Sequence, residues 1–562
     1  MEYLIFAAVM LGFIVLFMVK GFLDYRKSQR EFIRKLRSDY GVLPQKEYKP
    51  EQFANISHYF LKHRDGFVID DITWNDLNMD DVFKRMNYTW SAAGEEYLYY
   101  LLRKPAPGED ELLHREEIIE FFQNNPDERV AVQYIYSRLG RTGKFSIYDY
   151  LDYLDDLGER SNFPHYLMIV LLIGAVASLF VNLPVGILFL ACVLIYNNIS
   201  YFKVKNEIDP YIVSFAYVFR ILDTVKKLLP HHISVLEEEL SCLKSCSGAM
   251  SGFRRGSFLL MSGGRMSGSG NPLEMLLDFV RMGFHLDLIK FNQMLSEMRR
   301  HIREIDGMIT VLGKIEAMIA IGAWRESLES YCIPVFGAQT AIRTRGLYHP
   351  LIENPVKNDL TTDRSVLITG SNASGKSTFL KTVALGSIFA QTVHTVLADS
   401  YEGAMCRPVS SMSLRDDVQG GDSYYMVEIK ALKRILDLLE TEGLPVLCFV
   451  DEVLRGTNTI ERIAASTQIL KSIAKQNNMC FAATHDIELT YLLESFYHNY
   501  HFEEEIAGND ISFSYKIMEG RASTRNAIRL LGIMGYAPDI IEEAETMAGD
   551  IALQGYYSEM RR

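Results

Sequence analysis

The chain has no excess of positive charge. Its 562 residues carry 58 Lys and Arg against 71 Asp and Glu, a formal net charge of −13. A protein that coats nucleic acid without regard to sequence needs a basic face or a basic total. The balance argues against broad coating of DNA, though not against a local contact. Cysteine is sparse too. The seven thiols (192, 242, 246, 332, 406, 448 and 480) form no CxxC pair and have no His-rich partner spacing. That removes the common zinc and dithiol-redox patterns. Cys242 and Cys246 stand four apart, on one helix face, and buried or partly buried free thiols in a reducing cytosol are expected. No repeat of roughly 20–50 residues recurs. The length is too great for one core, so about two to four domains are expected.

Charge is missing altogether from two stretches. Tyr3 to Val19 reads YLIFAAVMLGFIVLFMV, close to the length that spans a bilayer. No Lys or Arg precedes it and no small-x-small cleavage site follows, so it lacks the marks of a cleaved signal. Lys20, Arg26, Lys27, Arg30, Arg34, Lys35 and Arg37 come next. The positive-inside rule places them in the cytoplasm and the N-terminus outside. The alternatives are a buried helix or a removed signal. The second stretch, Tyr166 to Tyr196, is divided by Asn182-Leu-Pro184 into halves short for a span. Two such helices make a membrane hairpin that returns to the cytoplasm. A hydrophobic hairpin buried at a protein interface is the alternative.

What is present is dominated by Ser365-Val-Leu-Ile-Thr-Gly370-Ser-Asn-Ala-Ser-Gly375-Lys-Ser-Thr378. A strand, a Gly-x4-Gly-Lys-Ser loop and a helical run follow in the order a P-loop requires. Gly370, Ser371, Asn372, Ala373, Ser374 and Gly375 form the cradle whose backbone N–H groups face phosphate oxygens. The helix N-terminus adds partial positive charge there. Lys376 reaches the β- and γ-phosphates, Ser377 ligates Mg²⁺ and Thr378 follows it into the helix. Downstream, Leu444 to Val450 reads as a buried strand ending at Asp451-Glu452. The first carboxylate suits the Mg²⁺ shell and the second can polarise an attacking water. A third strand, Met479 to Ala483, ends at Thr484-His485, and His485 there can sense the γ-phosphate.

These elements together resemble the MutS family of ABC-type ATPases. Leu347-Tyr-His-Pro350 with Asn358-Asp359, the P-loop, Asp416-Asp-Val-Gln-Gly-Gly-Asp-Ser-Tyr-Tyr-Met-Val-Glu428, Asp451-Glu-Val-Leu-Arg-Gly-Thr-Asn-Thr459 and Thr484-His485 with Glu488-Leu-Thr490 are each similar to a family motif. More weakly, Asp71–Leu77, Asn87–Gly94 and Leu101–Pro105 resemble the start of its helical lever core. The resemblance implies that Lys376, Ser377 and Asp451 bind Mg-ATP, that Glu452 is the general base and that His485 is a switch. It implies that Ser423 contacts the γ-phosphate held by a partner subunit, although a helix N-cap is an equally good use of that residue. Hydrolysis would then need a homodimer with composite sites, with Arg455, Gly456, Thr457 and Asn458 at the interface.

The departures are as informative. No Phe-x-Glu mismatch wedge precedes the core, the loop 245–271 is too short for a DNA clamp, and Tyr424 follows Ser423 where the family has Thr. The expected architecture is an α/β P-loop ATPase domain of ABC/MutS type plus an all-α lever domain with an N-terminal transmembrane helix and an internal transmembrane hairpin. Its parts are 1–22, a transmembrane helix; 23–52, a basic linker; 53–162 and 199–332, the two parts of the helical core, with a mobile loop at 245–271; 163–198, the hairpin; and 333–562, the ATPase. Two clients stay open: DNA brought to the membrane bilayer, or a membrane protein complex whose assembly the nucleotide state controls without nucleic acid. Arg254, Arg255 and Arg265 are the clustered cations that could meet DNA or a lipid headgroup. A transporter is disfavoured by the short spans and by the lack of a Leu-Ser-Gly-Gly-Gln signature.

Overall fold

The computed structural model describes residues 2–562 except 143–145, 157, 254, 256–278, 372–373, 413–423, 455–456, 476, 508–509, 523–527, 529–530, 532–534 and 560–562. The chain divides into two units. One comprises 1–64, 86–100 and 116–327, and the other 65–85, 101–115 and 328–562.

The first unit is helical. It opens on a continuous helix, Glu2–Ser38, of 37 residues. The basic stretch expected to be a linker from residue 23 is therefore helical through Ser38. Its end is tied into the unit by burial of Leu36 and by Phe32 packing edge-on to Trp90 at 5.4 Å. After the hairpin, the second part of the helical core begins with two helices, Ile212–Leu228 and Glu237–Ala249. The second runs past the predicted loop start at 245, and the expected loop lies largely outside the described residues. Leu286–Arg300 and Ile302–Glu326 supply the long helices expected before the α/β region. They bury Phe291, Met294, Ile305, Met308, Leu312 and Ile315.

The apolar block forms helices Phe163–Val181 and Leu183–Ile208, both long and apolar enough to cross a membrane. The helices exceed the uncharged halves because the polar residues Asn197–Ile208 continue the second without a breaker. Asn182 joins them: its side chain accepts from Val185 N at 3.4 Å, and Pro184 occupies the first turn, where a missing N–H costs nothing. The legs meet through Met168, Ala175 and Val193, and Gly186 allows close approach, since a Cβ there would lie 2.7 Å from Leu179 N. Among the described residues the outer faces are exposed, with Val170 64% and Leu188 68% exposed.

The second unit holds two sheets. Strands are β1 (Val335–Phe336), β2 (Ile342–Leu347), β3 (Asn358–Thr362), β4 (Ser365–Thr369), β5 (Ser400–Gly403), β6 (Arg407–Ser411), β7 (Val446–Asp451), β8 (Met479–Ala483), β9 (Tyr497–Ala507) and β10 (Asp510–Glu519). The smaller sheet runs β1-β5-β2-β3 and the larger β10-β9-β4-β8-β7-β6. From β9 to β6 the larger sheet is parallel; β10 pairs antiparallel to β9. Full burial of β4 and β8 explains the apolar run Val366–Ile368 in the first and the wholly apolar sequence of the second. Two segments expected in the helical core, 65–85 and 101–115, belong to this unit. Asp76 is the reason at β6: its Oδ2 accepts from Ser410 Oγ at 2.7 Å and Met412 N at 2.9 Å. Helix Asp71–Asp76 thereby covers the edge strand of the sheet.

Candidate functional site

Parallel strands bring their C-terminal ends to one side of a sheet, and ligands collect there. In this sheet β4 lies beside β8, and β8 beside β7. Ala483 is level with both Ile368 and Asp451. The loop after β4, His485 after β8 and Asp451-Glu452 at the end of β7 are thus neighbours, although more than a hundred residues separate Gly370 from His485.

The glycine loop has the backbone its composition demands. Gly370 and Gly375 have φ of +148° and +106°. A Cβ at Gly370 would lie 2.9 Å from Phe502 O and from Ser374 Oγ, and one at Gly375 would lie 3.2 Å from the Tyr515 ring. Only glycine meets both requirements. Helix Lys376–Thr392 starts immediately after, so its free N–H groups face the loop. Lys376 is buried and folds back over the loop, donating from Nζ to Gly370 O at 2.9 Å and Ser371 O at 2.6 Å. Ser377 and Thr378 are exposed to the same cavity. Asn372 and Ala373 lie outside the described residues.

That cavity measures about 660 Å³. It is lined by Ser374–Thr378, Asp451 and Glu452 and by Tyr348, His349, Ile352, Val356, Phe502 and Tyr515. Ser374 Oγ and Asp451 Oδ1 are buried without a hydrogen-bond partner among the described residues. Buried polar atoms of this kind call for a ligand, ion or water. Glu452 turns out of β7 with φ +57°, and its Oε1 lies 3.0 Å from His485 Nε2. Leu454 has φ +59°. Such conformations cost about 1–3 kcal/mol each for a non-glycine residue and need outside support. Glu428 provides it by accepting from Leu454 N, and Ala483 O accepts from Glu452 N at 3.0 Å. Burial, with Lys381 and Arg85 nearby, pushes the His349 imidazole down to about 4. It is therefore neutral near pH 7, with Nδ1 accepting from Leu351 N at 3.2 Å.

Residues 366–552 match the model for MutS domain V. The chain thus carries a segment of MutS domain V type. It is 32% identical over 264 residues to the DNA mismatch repair protein MutS of Thermotoga petrophila, covering 45% of this chain and 33% of the relative. It is 28% identical over 295 residues to the protein of the same name from Lactobacillus delbrueckii subsp. bulgaricus, covering 50% and 34%. The chain spans about a third of the length of the curated relatives it matches.

Within the MutS-type domain, the geometry gathers Gly370, Ser371, Ser374, Gly375, Lys376, Ser377, Thr378, Asp451 and Glu452 around one cavity, with His485 reaching it through Glu452. Ser423, Arg455 and Gly456 lie outside the described residues. Asn458 caps helix Thr459–Ile473, its side chain accepting from Ile460 N at 3.0 Å. His349, Phe502 and Tyr515 had no site role in the sequence reading. His349 could have been found, since it sits inside a family motif. Phe502 and Tyr515 could not: the β9–β10 hairpin carries them in from the far end of the domain.

Proposed function

We propose that the chain is a membrane-anchored MutS-type ATPase that binds and hydrolyses Mg-ATP as a homodimer and uses the cycle to move its long helices. The observation that carries this reading is the orphaned Asp451 Oδ1 at the mouth of a glycine loop, beside the Glu452–His485 pair. The residues fit the group. Asp451 and Ser377 would hold Mg²⁺, which when bound supplies charge to offset the phosphates. Lys376, released from Gly370 O and Ser371 O, would contact the β- and γ-phosphates. Neutral His349, Ile352, Val356 and Tyr515 offer the apolar wall that a nucleobase needs.

Glu452 is positioned to accept a proton from water, and His485 holds its carboxylate in place. Ser423 of one subunit would complete the site of the other. The hairpin Phe163–Ile208 and the helix Glu2–Ser38 would be the membrane anchors, with both units on the cytoplasmic side.

The test is ATP turnover by the purified full chain across a protein concentration series. Specific activity that rises with concentration and vanishes in Lys376→Ala supports a composite-site ATPase. Turnover unaffected by Lys376→Ala would sink it. For the client, DNA and a membrane complex make opposite forecasts. The relatives' name favours DNA, and the acidic total of −13 favours the complex. Binding to matched, mismatched and branched duplexes across a salt series decides: a steep salt slope marks phosphate contacts, and no binding at low salt removes DNA.

A further inference from the structure

The first unit carries a basin of about 710 Å³ that the nucleotide chemistry does not use. Arg160, Arg255, Lys290 and Arg300 line it, with Glu297 as a single carboxylate and Asn162 at one edge. Four cations around one opening are notable in a chain of net charge −13. Part of that charge is spoken for: Arg160 pairs with Glu207 at 3.0 Å, and Arg300 with Glu297 at 3.1 Å. The remainder is a net positive basin. Arg160 Nε is buried without a hydrogen-bond partner among the described residues. Burial, and the nearby Arg255, also press the Lys290 ammonium below its ordinary range, opposed by Glu297. An anion in the basin would relieve that strain.

The basin's place in the unit names the anion. Arg160 and Asn162 immediately precede Phe163, the first residue of the apolar hairpin. Helix Leu286–Arg300, which carries Lys290 and Arg300, is bonded to both legs. Asn292 Nδ2 donates to Asn162 Oδ1 at 2.8 Å, at the base of the first leg. Asp287 Oδ2 accepts from Tyr201 OH at 2.7 Å and Lys205 Nζ at 3.1 Å, at the base of the second. Cations are thereby fixed at the level where the uncharged surface begins. Phe163, Tyr166 and Leu167, all exposed, follow in the first turns of the first leg. A ligand that is a phosphate at one end and hydrocarbon at the other satisfies both surfaces.

We infer that this basin is a headgroup site for an anionic phospholipid of the cytoplasmic leaflet, clamped between the hairpin base and helix Leu286–Arg300. The inference rests on the hairpin's lying in a membrane. Helix Leu286–Arg300 leads at once into Ile302–Glu326, so a bound lipid would set the position of a helix that runs up to the ATPase segment of the chain.

The experiment is native mass spectrometry of the detergent-solubilised full chain, offered phosphatidylglycerol, phosphatidylcholine or soluble glycerol phosphate. Preferential retention of phosphatidylglycerol is expected, reduced roughly tenfold or more by Lys290→Glu with Arg300→Glu. Lys290→Gln alone, with a thermal melt to show that it folds, serves if the double reversal does not. Equal retention of the two lipids, or retention unchanged in a folded variant, overturns the site. Competition by glycerol phosphate at equal concentration overturns the lipid as its source in favour of a free phosphate. Alkaline extraction of native membranes separates the premises. Release of the chain sinks the membrane reading itself, whereas a chain that stays in the membrane without lipid preference sinks only the basin.

Discussion

Glu452 Oε1 lies 3.0 Å from His485 Nε2, joining the residue after the Asp451 carboxylate to the second residue past β8. The pair couples the proposed base to a second strand end, so the two positions should not behave alike. Glu452→Gln keeps the volume but removes the proton acceptor. Turnover should fall by about 10²–10⁴ while nucleotide binding persists. His485→Ala should lower turnover by a smaller factor, since the carboxylate survives but is no longer held. Single-turnover ATP hydrolysis alongside equilibrium binding of a labelled nucleotide separates the outcomes. Equal losses would mean that His485 does more than position Glu452.

Glu428 supports a strained turn from a distance in sequence. It accepts from Leu454 N, where φ is +59°. Glu428→Ala leaves a buried N–H without its acceptor, a loss of about 1–3 kcal/mol. The expected result is a lower melting temperature for the second unit and a turnover loss through misplaced Glu452. A variant with wild-type melting and turnover would show that the turn needs no such support.

The first unit should be sensitive to pH through Glu316. This carboxyl is buried on helix Ile302–Glu326 and accepts from Trp90 N at 2.6 Å and Ser91 N at 3.2 Å. Burial pushes it up to about 7, despite those bonds and the nearby Lys46. The native state therefore holds the proton more tightly than the unfolded chain. The stabilisation is fully present below the ordinary carboxylate range and is lost as pH rises through about 7, on the order of 3 kcal/mol in all. Melting of the helical unit at pH 5, 6, 7 and 8 measures it. Glu316→Gln should flatten the profile, and a wild-type stability that climbs over this range would contradict the assignment.

Topology can be read at Asn182. In a cysteine-free background, Asn182→Cys should react with a membrane-impermeant maleimide from outside intact cells. Cys242, exposed in the first unit, should react only after permeabilisation when it is the sole thiol. An unreactive Asn182→Cys in intact cells would place the hairpin tip elsewhere and leave a protein interface as its burial site.

Much of the candidate site's layout was legible because its parts are local. A strand, a glycine loop and a helix N-terminus are contiguous, and the steric demand for glycine at 370 and 375 is written into the chain. Asp451-Glu452 and His485 were legible for a related reason, since apolar runs that stop at a polar residue mark the ends of buried parallel strands. The thiols show where local reading fails. Cys406, Cys448 and Cys480 are buried as expected, but Cys192 and Cys242 are exposed, because which face of a helix meets neighbours depends on packing.

Sequence alone determined the glycine loop between its strand and helix, the two uncharged stretches and the carboxylates and histidine that end the buried strands. Each depends on residues a few positions apart, within reach of backbone geometry and hydrophobic period. Tertiary structure decided everything assembled from a distance. It set Tyr515 against Gly375, used Asp76 to seal β6, and bound Asp287 to both Tyr201 and Lys205 at the base of the hairpin. No local period encodes such pairings, because they form only when the chain closes long loops to bury its core.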